Sequence, residues 1–304
     1  MPDLLHMGTT AALVIAAAYP ALVLFVADRF TRPKRIVPRS LPAELEPEYY
    51  RVEFFARDES LRIIAWYRPV PSSTAAVIMV HGRDACRGDA VRGDTFALAS
   101  RIVDNGMSVL MIDLRGHGES GKARLTFGHH ERRDVLGAVD FLLARGYSPT
   151  RIGVFGASMG GASGIGAAVD EPAIGALITD STFADLDCLL REQFQRLTRL
   201  PRWCLRGSLA AARLLTGIDL TARAPRDLIR SLQNLPILVI HAAHDPFVPV
   251  EHAQWLASAG QAGLWITEGS RHLASAAAEG SRYADVVSDF FLKSLCREQR
   301  EMHA

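Results

Sequence analysis

Residues 156–160 read Gly-Ala-Ser-Met-Gly, a G-x-S-x-G pattern with Ser158 at its centre. The pattern follows residues 151–155, a short β-branched and aromatic run typical of a buried strand, and precedes a run of small residues that lets a helix pack closely on a sheet. A strand that turns sharply into a helix strains the central residue, and flanking glycines remove the clashes. The pattern predicts a strand–turn–helix unit that holds the Ser158 hydroxyl above a sheet edge; the motif alone leaves open a glycine-rich turn with an incidental serine.

Asp245 and His272 follow Ser158 in the order serine, acid, histidine. The apolar run 236–241 predicts a buried strand that puts Asp245 in the loop at its carboxyl end. The run 262–267 predicts a further strand, with His272 on the next loop. A hydroxyl is a weak nucleophile until a base takes its proton, and the base needs an acid to orient it. We therefore expect a catalytic triad of Ser158, Asp245 and His272.

Two other carboxylates are candidates for the acid. Glu268 lies between the last predicted strand and His272, and Asp180 closes the predicted strand over residues 174–179. Asp180 is a candidate because some hydrolases place the acid after the sixth strand; Asp245 is preferred over both.

The chain resembles the α/β-hydrolase superfamily, and within it the Bem46-like and serine-aminopeptidase-like (S33-type) membrane-associated serine hydrolases. The resemblance runs from about Arg51 to Leu295. Besides the three triad loops it rests on His81-Gly82 after the predicted strand 76–80, and on Asp-Leu-Arg-Gly-His-Gly-Glu-Ser at residues 113–120 after the predicted strand 108–112. One departure is Ala242, where the family usually has glycine.

The resemblance implies an oxyanion hole built from two backbone N–H groups. One is that of Met159, directly after the nucleophile, and the other is that of Arg83, in the loop after the third strand. His81 is interpreted as a structural residue that braces this loop. Arg83, Arg87 and Arg92 form a basic stretch beside the loop, which is interpreted as a solvated face.

The strand and helix pattern predicts an α/β-hydrolase fold over residues 48–304, with a mostly parallel eight-stranded sheet and flanking helices. An antiparallel pair at 52–56 and 61–67 opens the domain, and six further apolar strands alternate with helical stretches. Residues 183–227 are longer than a plain crossover needs and carry leucines at near-helical spacing, which predicts a small helical lid. A pair of ordinary covering helices is the alternative.

The amino-terminal region predicts a membrane anchor at residues 1–28. The stretch from Gly8 to Val26 contains no charged residue. It is also long enough to span the hydrocarbon core of a bilayer. Five basic residues lie between Arg29 and Arg39, and this asymmetry predicts a single span with the hydrolase domain in the cytoplasm. Residues 29–47 contain four prolines and predict an extended basic linker suited to anionic lipid. An amphipathic or buried helix packed on the hydrolase domain is the alternative.

Composition narrows the function further. The 304 residues carry a net charge of only +1, so there is no electrostatic case for nucleic acid. The four cysteines and the run His129-His130-Glu131 lack metal-ligand spacing, and we expect neither metal nor cofactor. We expect a serine hydrolase that cleaves an ester, thioester or amide of an acyl-containing or lipid-like substrate at the membrane. An acyltransferase with the same triad and a non-catalytic binding protein of the same fold are the alternatives.

Overall fold

An eight-stranded sheet lies at the centre of the structure, a computed structural model that describes residues 18–38, 41, 48–92 and 94–296. The strand order is β1-β2-β4-β3-β5-β6-β7-β8. Strand β2 pairs antiparallel with β1 and β4, and every other pair is parallel, which confirms the predicted sheet. The strands are β1 (Tyr50–Phe55), β2 (Arg62–Arg68), β3 (Ala76–Val80), β4 (Ser108–Ile112), β5 (Ile152–Ala157), β6 (Ile174–Asp180), β7 (Ile237–Ala242) and β8 (Gly263–Thr267).

Helices cover both faces of this sheet. Helices α2 and α10 pack together on one face, and α3 and α4 pack together on the other. The helices are α1 (described over residues 18–31), α2 (Thr95–Asp104), α3 (Glu131–Leu143), α4 (Met159–Asp170), α5 (Leu186–Thr198), α6 (Cys204–Thr216), α7 (Pro225–Leu228), α8 (Val250–Gly260), α9 (Ser275–Glu279) and α10 (Ser281–Leu295). The short helix α9 was not predicted.

The central strands are apolar along their whole length because both of their faces are covered. Every residue of β3, β4 and β5 is buried. Parallel pairing aligns the carboxyl ends of these strands with those of β6, β7 and β8. The loops that carry the predicted functional residues therefore meet at one edge of the sheet.

Helices α5 and α6 form the predicted insertion at residues 183–227, between β6 and β7. Leu189, Leu190 and Phe194 of α5 and Leu205 of α6 are buried against the core. Leu197, in the last turn of α5, remains 48% exposed and reaches the catalytic edge of the sheet.

Helix α1 and the residues after it are packed on the hydrolase domain. Val23, Ala27 and Thr31 are buried, and the Thr31 carbonyl accepts a hydrogen bond from Leu125 N at 2.7 Å. The Arg35 side chain donates to the carbonyls of residues 118 and 120 at 2.8 and 2.6 Å. Residues 29–31, which the sequence places in the basic linker, continue α1, and specific contacts hold the segment that follows.

In the part of the chain that the structure describes, no helix is both long and apolar enough to cross a membrane. Residues 8–17 of the predicted span Gly8–Val26 lie outside the described residues. The remainder, 18–26, belongs to α1, where Tyr19, Leu22 and Val26 contact the hydrolase core.

The packing of α1 predicts a difference between two neighbouring substitutions. Ala27→Arg should lower the free energy of unfolding by about 2 kcal/mol, because Ala27 is only 1% exposed and a buried, unpaired guanidinium is costly. Leu24→Arg adds the same charge at a position that is 39% exposed. It should change the free energy of unfolding by less than about 0.5 kcal/mol. Denaturant unfolding of both full-length variants tests this; equal stabilities would contradict the docked position of α1.

Candidate active site

Ser158 occupies the sharp turn between β5 and α4, with φ 52° and ψ −115°. A side chain rarely adopts this positive φ, so the surrounding packing must hold it. A Cβ at Gly156 would lie 2.5 Å from the Gly160 carbonyl oxygen, and one at Gly160 would lie 2.6 Å from the His81 carbonyl oxygen. Only glycine fits at both positions, and Ser158 N is fixed by a 2.8 Å hydrogen bond to the Asp180 carbonyl.

The structure brings Ser158, His272 and Asp245 into one hydrogen-bonded row. His272 Nε2 lies 3.0 Å from Ser158 Oγ, and His272 Nδ1 lies 2.6 Å from Asp245 Oδ2. The ring of Phe247 packs edge-on against His272 at a centroid distance of 5.1 Å. With Nδ1–H donating to the carboxylate, Nε2 presents its lone pair to the serine hydroxyl, the tautomer that a general base requires.

Asp245 is held in its ionised form by its surroundings. Its Oδ1 accepts hydrogen bonds from Phe247 N at 2.8 Å and Val248 N at 3.0 Å. Burial favours a higher pKa for this carboxyl, but the hydrogen bonds from His272 and the two backbone groups outweigh burial and lower its pKa. The Asp245 carboxylate therefore both stabilises its own loop and orients His272.

Neither alternative acid forms a hydrogen bond with the imidazole of His272 in the described part of the chain. Asp180 accepts from Ser181 Oγ at 2.8 Å, from Ser275 Oγ at 3.3 Å and from the Tyr283 hydroxyl at 2.7 Å, so both of its carboxylate oxygens are engaged elsewhere. Burial raises the pKa of the Asp180 carboxyl. Glu268 is exposed and has no hydrogen bond or ion pair within the described chain.

Two backbone N–H groups beside Ser158 have no acceptor among the described residues. One is that of Met159, the first residue of α4, where helical N–H groups lack an intrahelical partner. The other is that of Arg83, next to Gly82, whose Cα is so close that a Cβ on it would lie 3.2 Å from Ser158 Cβ. These are the two groups that the resemblance assigns to the oxyanion hole.

The predicted basic face at Arg83, Arg87 and Arg92 is not a single solvated surface. Arg87 is 3% exposed, ion-paired with Asp113 and Glu119, and its guanidinium lies over the Trp66 ring at 4.3 Å, so the prediction is wrong there. The reason is a pair of carboxylates from the loop after β4 that neutralises the charge. Arg92 is exposed, as expected.

The Arg83 side chain connects the loop after β3 to α1. Its guanidinium lies 4.9 Å from the centre of the Phe30 ring and 5.8 Å from that of Phe127, and its Nη2 donates to the Arg29 carbonyl at 3.4 Å. Burial lowers the pKa of this guanidinium. Arg83, which the resemblance assigns to the oxyanion hole, thus also contacts the amino-terminal helix.

His81 and His117 brace the same loop as neutral rings. His81 Nδ1–H donates to the Gly82 carbonyl at 2.6 Å, and its Nε2 accepts from Leu114 N at 3.1 Å. His117 Nε2 accepts from Asp84 N at 3.1 Å. Burial lowers the pKa of His81 to about 3 and also lowers that of His117. This arrangement is consistent with the structural role expected for His81.

Among the described residues, Cys188 and Glu192 of α5 and His252 of α8 are grouped closely enough to suggest a metal site, with one potential ligand atom from each within 4.8 Å of the others. The chemistry of His252 argues against it. Its Nδ1 accepts from Ala184 N at 3.1 Å, so the ring proton lies on Nε2, the atom 3.7 Å from Glu192. A protonated nitrogen has no lone pair for a metal. These three side chains instead connect α5 to α8.

A cavity of about 660 Å³ opens above Ser158 and His272. Its walls include Phe247, Leu273 and Leu197, together with Arg29, Arg32 and Lys34 from the amino-terminal segment. The sequence predicts that these cations bind lipid headgroups and does not predict their position at the site. No motif signals it, because more than 120 positions separate them from Ser158.

The buried His81 predicts a specific loss of stability in acid. The unfolded chain binds a proton at this histidine near pH 6.5, whereas the folded chain does so only near pH 3. Between these values acid favours the unfolded state by about 1.4 kcal/mol per pH unit. His81→Gln should make the free energy of unfolding less dependent on pH between 6.5 and 4.5, whatever its stability at pH 7. Parallel slopes for the two proteins in denaturant titrations would refute this.

Comparisons with known proteins agree with this fold. Residues 71–215 match the family described as serine aminopeptidase, S33. The uncharacterized protein YqkD of Bacillus subtilis is 30% identical over 197 residues, a match that spans 62% of this chain and 63% of YqkD. The 2,6-dihydropseudooxynicotine hydrolase of Paenarthrobacter nicotinovorans is 26% identical over 201 residues, which cover 60% of this chain and 50% of that one.

A solved structure extends the likeness to nearly the whole fold. The Pyrococcus furiosus esterase Pf2001 aligns with a TM-score of 0.71 at 24% identity, covering 87% of this chain and 99% of the esterase. The relatives with a named activity are hydrolases, and the prediction of a hydrolase is confirmed at that level. Together with the strand order and the turn at Ser158, these matches show that the chain has the α/β-hydrolase fold.

Proposed function

We propose that this protein is a serine hydrolase that cleaves a carboxylic ester, thioester or amide through an acyl-enzyme on Ser158. One observation carries the proposal: the row from Ser158 Oγ to His272 and on to Asp245, with hydrogen-bond distances of 3.0 and 2.6 Å. These are the distances that a nucleophile, a base and an orienting acid need.

The proposed reaction begins with the transfer of the Ser158 proton to His272 Nε2 as Oγ attacks the substrate carbonyl. Asp245 stabilises the imidazolium, and the N–H groups of Met159 and Arg83 donate to the oxyanion. When the tetrahedral intermediate collapses, Nε2 returns the proton to the leaving group. A water molecule then attacks the acyl-enzyme with His272 again as base, and Ser158 is regenerated.

An apolar groove supports a substrate with a lipid-like portion. A second cavity of about 320 Å³ lies between α1 and the end of α5, and it shares Arg29, Arg83 and Leu197 with the cavity above Ser158. Its remaining walls are largely apolar: Leu22, Phe25, Val26, Phe30, Thr198 and Leu200. A hydrocarbon chain attached to the scissile carbonyl or to the leaving group fits these walls.

Hydrolysis is favoured over the two alternative functions. The His272 side chain is 14% exposed, so water can reach the base that must activate it, whereas an acyltransferase must keep water away from the acyl-enzyme. A non-catalytic binding protein has no need for the hydrogen-bonded row or for the strained backbone of Ser158.

We further propose that the amino-terminal region holds the protein at a membrane, with the hydrolase domain in the cytoplasm. The uncharged stretch and the basic residues that follow it support this proposal. On α1, Leu24 and Phe25 are 39% and 64% exposed although Val23 and Ala27 are buried, so the helix has an apolar outer face that suits a lipid surface.

The triad proposal predicts graded losses of activity. Ser158→Ala should abolish labelling by a fluorophosphonate and the turnover of 4-nitrophenyl butanoate. Asp245→Asn should lower kcat by about 10⁴-fold, because an amide favours the wrong His272 tautomer. Glu268→Gln is the matched control for loss of one carboxylate and should stay within about twofold of wild type. Strong labelling of Ser158→Ala, or an Asp245→Asn variant with normal kcat, would overturn the assignment.

The membrane proposal predicts that the full-length protein sediments with membranes and stays there after carbonate washing. A carboxyl-terminal reporter should be active in the cytoplasm. Full-length protein in the supernatant would refute the attachment, and a reporter active only outside the cytoplasm would refute the orientation.

A further inference from the structure

We infer that the natural substrate carries an anionic group, a carboxylate or a phosphate, which binds cations supplied mainly by the amino-terminal segment. This inference rests on the proposed function and names the chemistry of its substrate. The walls of the cavity above Ser158 contain five cations and two carboxylates, an excess of three positive charges. The cations are Arg29, Arg32, Lys34, Arg83 and Arg92, and the carboxylates are Asp84 and Asp89.

Carboxylates cancel only part of this excess charge. Arg32 is paired with Asp28 at 3.0 Å, and Arg83 lies 3.5 Å from Asp84. The other three cations, Arg29, Lys34 and Arg92, have no ion-pair partner among residues 18–38, 41, 48–92 and 94–296. A cavity lined by unpaired charge of one sign concentrates ligands of the opposite sign.

The segment that brings these cations is fixed in place. Lys34 N donates to Asp84 Oδ1 at 2.8 Å, and Arg35 is bound to two carbonyls of the loop after β4. Arg124 clamps the end of α1 by donating to Asp28 at 2.9 Å and to Thr31 at 3.0 Å. Arg29 and Lys34 are therefore held among the walls of the cavity that contains Ser158.

The geometry separates two kinds of surface around the nucleophile. The apolar groove leads away from Ser158 at Leu197, whereas Lys34 and Arg92 line only the cavity itself. A substrate with an apolar portion and a nearby anionic group matches both. Arg29, Lys34 and Arg92 are exposed, and solvent weakens their attraction for an anion, so we expect a preference of about tenfold.

Matched substrates test the inference on both sides of the scissile bond. On the acyl side, 4-nitrophenyl hexanoate is compared with the mono-4-nitrophenyl ester of adipic acid, which adds one carboxylate to an acyl chain of the same length. On the alcohol side, butyl butanoate is compared with 3-carboxypropyl butanoate, followed by proton release. The anionic ester of at least one pair should have about tenfold higher kcat/KM, and 0.5 M salt should reduce the preference. Phosphate analogues of the preferred ester then distinguish the two anions.

Variants locate the preference in the cavity. Arg29→Gln, Lys34→Gln and Arg92→Gln, singly and combined, should lower the ratio of anionic to neutral kcat/KM, with the combined variant near one. Lys293→Gln is the control, because Lys293 is exposed on α10, does not line the cavity and removes the same charge. Fluorophosphonate labelling of every variant reports separately on Ser158.

The outcomes separate this inference from the proposed function. A wild-type protein that neither labels nor turns over any ester would refute the proposed function. Normal labelling without a preference for the anionic ester of either pair would overturn only the inference. A wild-type preference that the combined variant retains would also overturn it. An unchanged ratio together with lost binding to phosphatidylglycerol vesicles would assign these cations to a membrane surface instead.

Discussion

The strained backbone at Ser158 is the constraint on which the site depends. A non-glycine residue with φ near +50° in a turn of this kind costs about 1–3 kcal/mol, which the surrounding structure must supply. It does so through the close approach of β5, α4 and the loop after β3, which glycine at positions 156 and 160 allows, and through the hydrogen bond to the Asp180 carbonyl. The result is a hydroxyl that lies 3.0 Å from His272 Nε2.

The loops around this turn are rigid because buried polar groups satisfy one another. Asp113 accepts from the backbone of Arg87 and Glu119, while His81 and His117 hold neighbouring backbone N–H groups. None of these contacts reaches the scissile bond. They hold the loop that carries Arg83, and in the proposed mechanism a donor there that needs no rearrangement during the reaction stabilises the oxyanion most effectively.

Much of the fold and the meeting of three site residues could be predicted from sequence because those signals are local. Ser158, Asp245 and His272 each follow a short apolar strand, and parallel pairing sends all three to one edge. Arg87 could not be placed this way, since its charge suggests water and only the folded chain brings Asp113 to it, 26 positions away. Similarly, the basic residues after α1 could not be placed at the cavity, because only the folded chain brings them to Ser158.

The position of α1 also affects how the enzyme can be studied. Removing the amino-terminal region is a common way to obtain a well-behaved protein, and every residue of the Ser158 row would survive it. Here, however, a chain that begins at residue 38 would lack Arg29, Arg32 and Lys34 of the cavity and one whole side of the apolar groove. Its substrate profile would describe an altered binding site, so screening for the natural substrate requires the full-length chain.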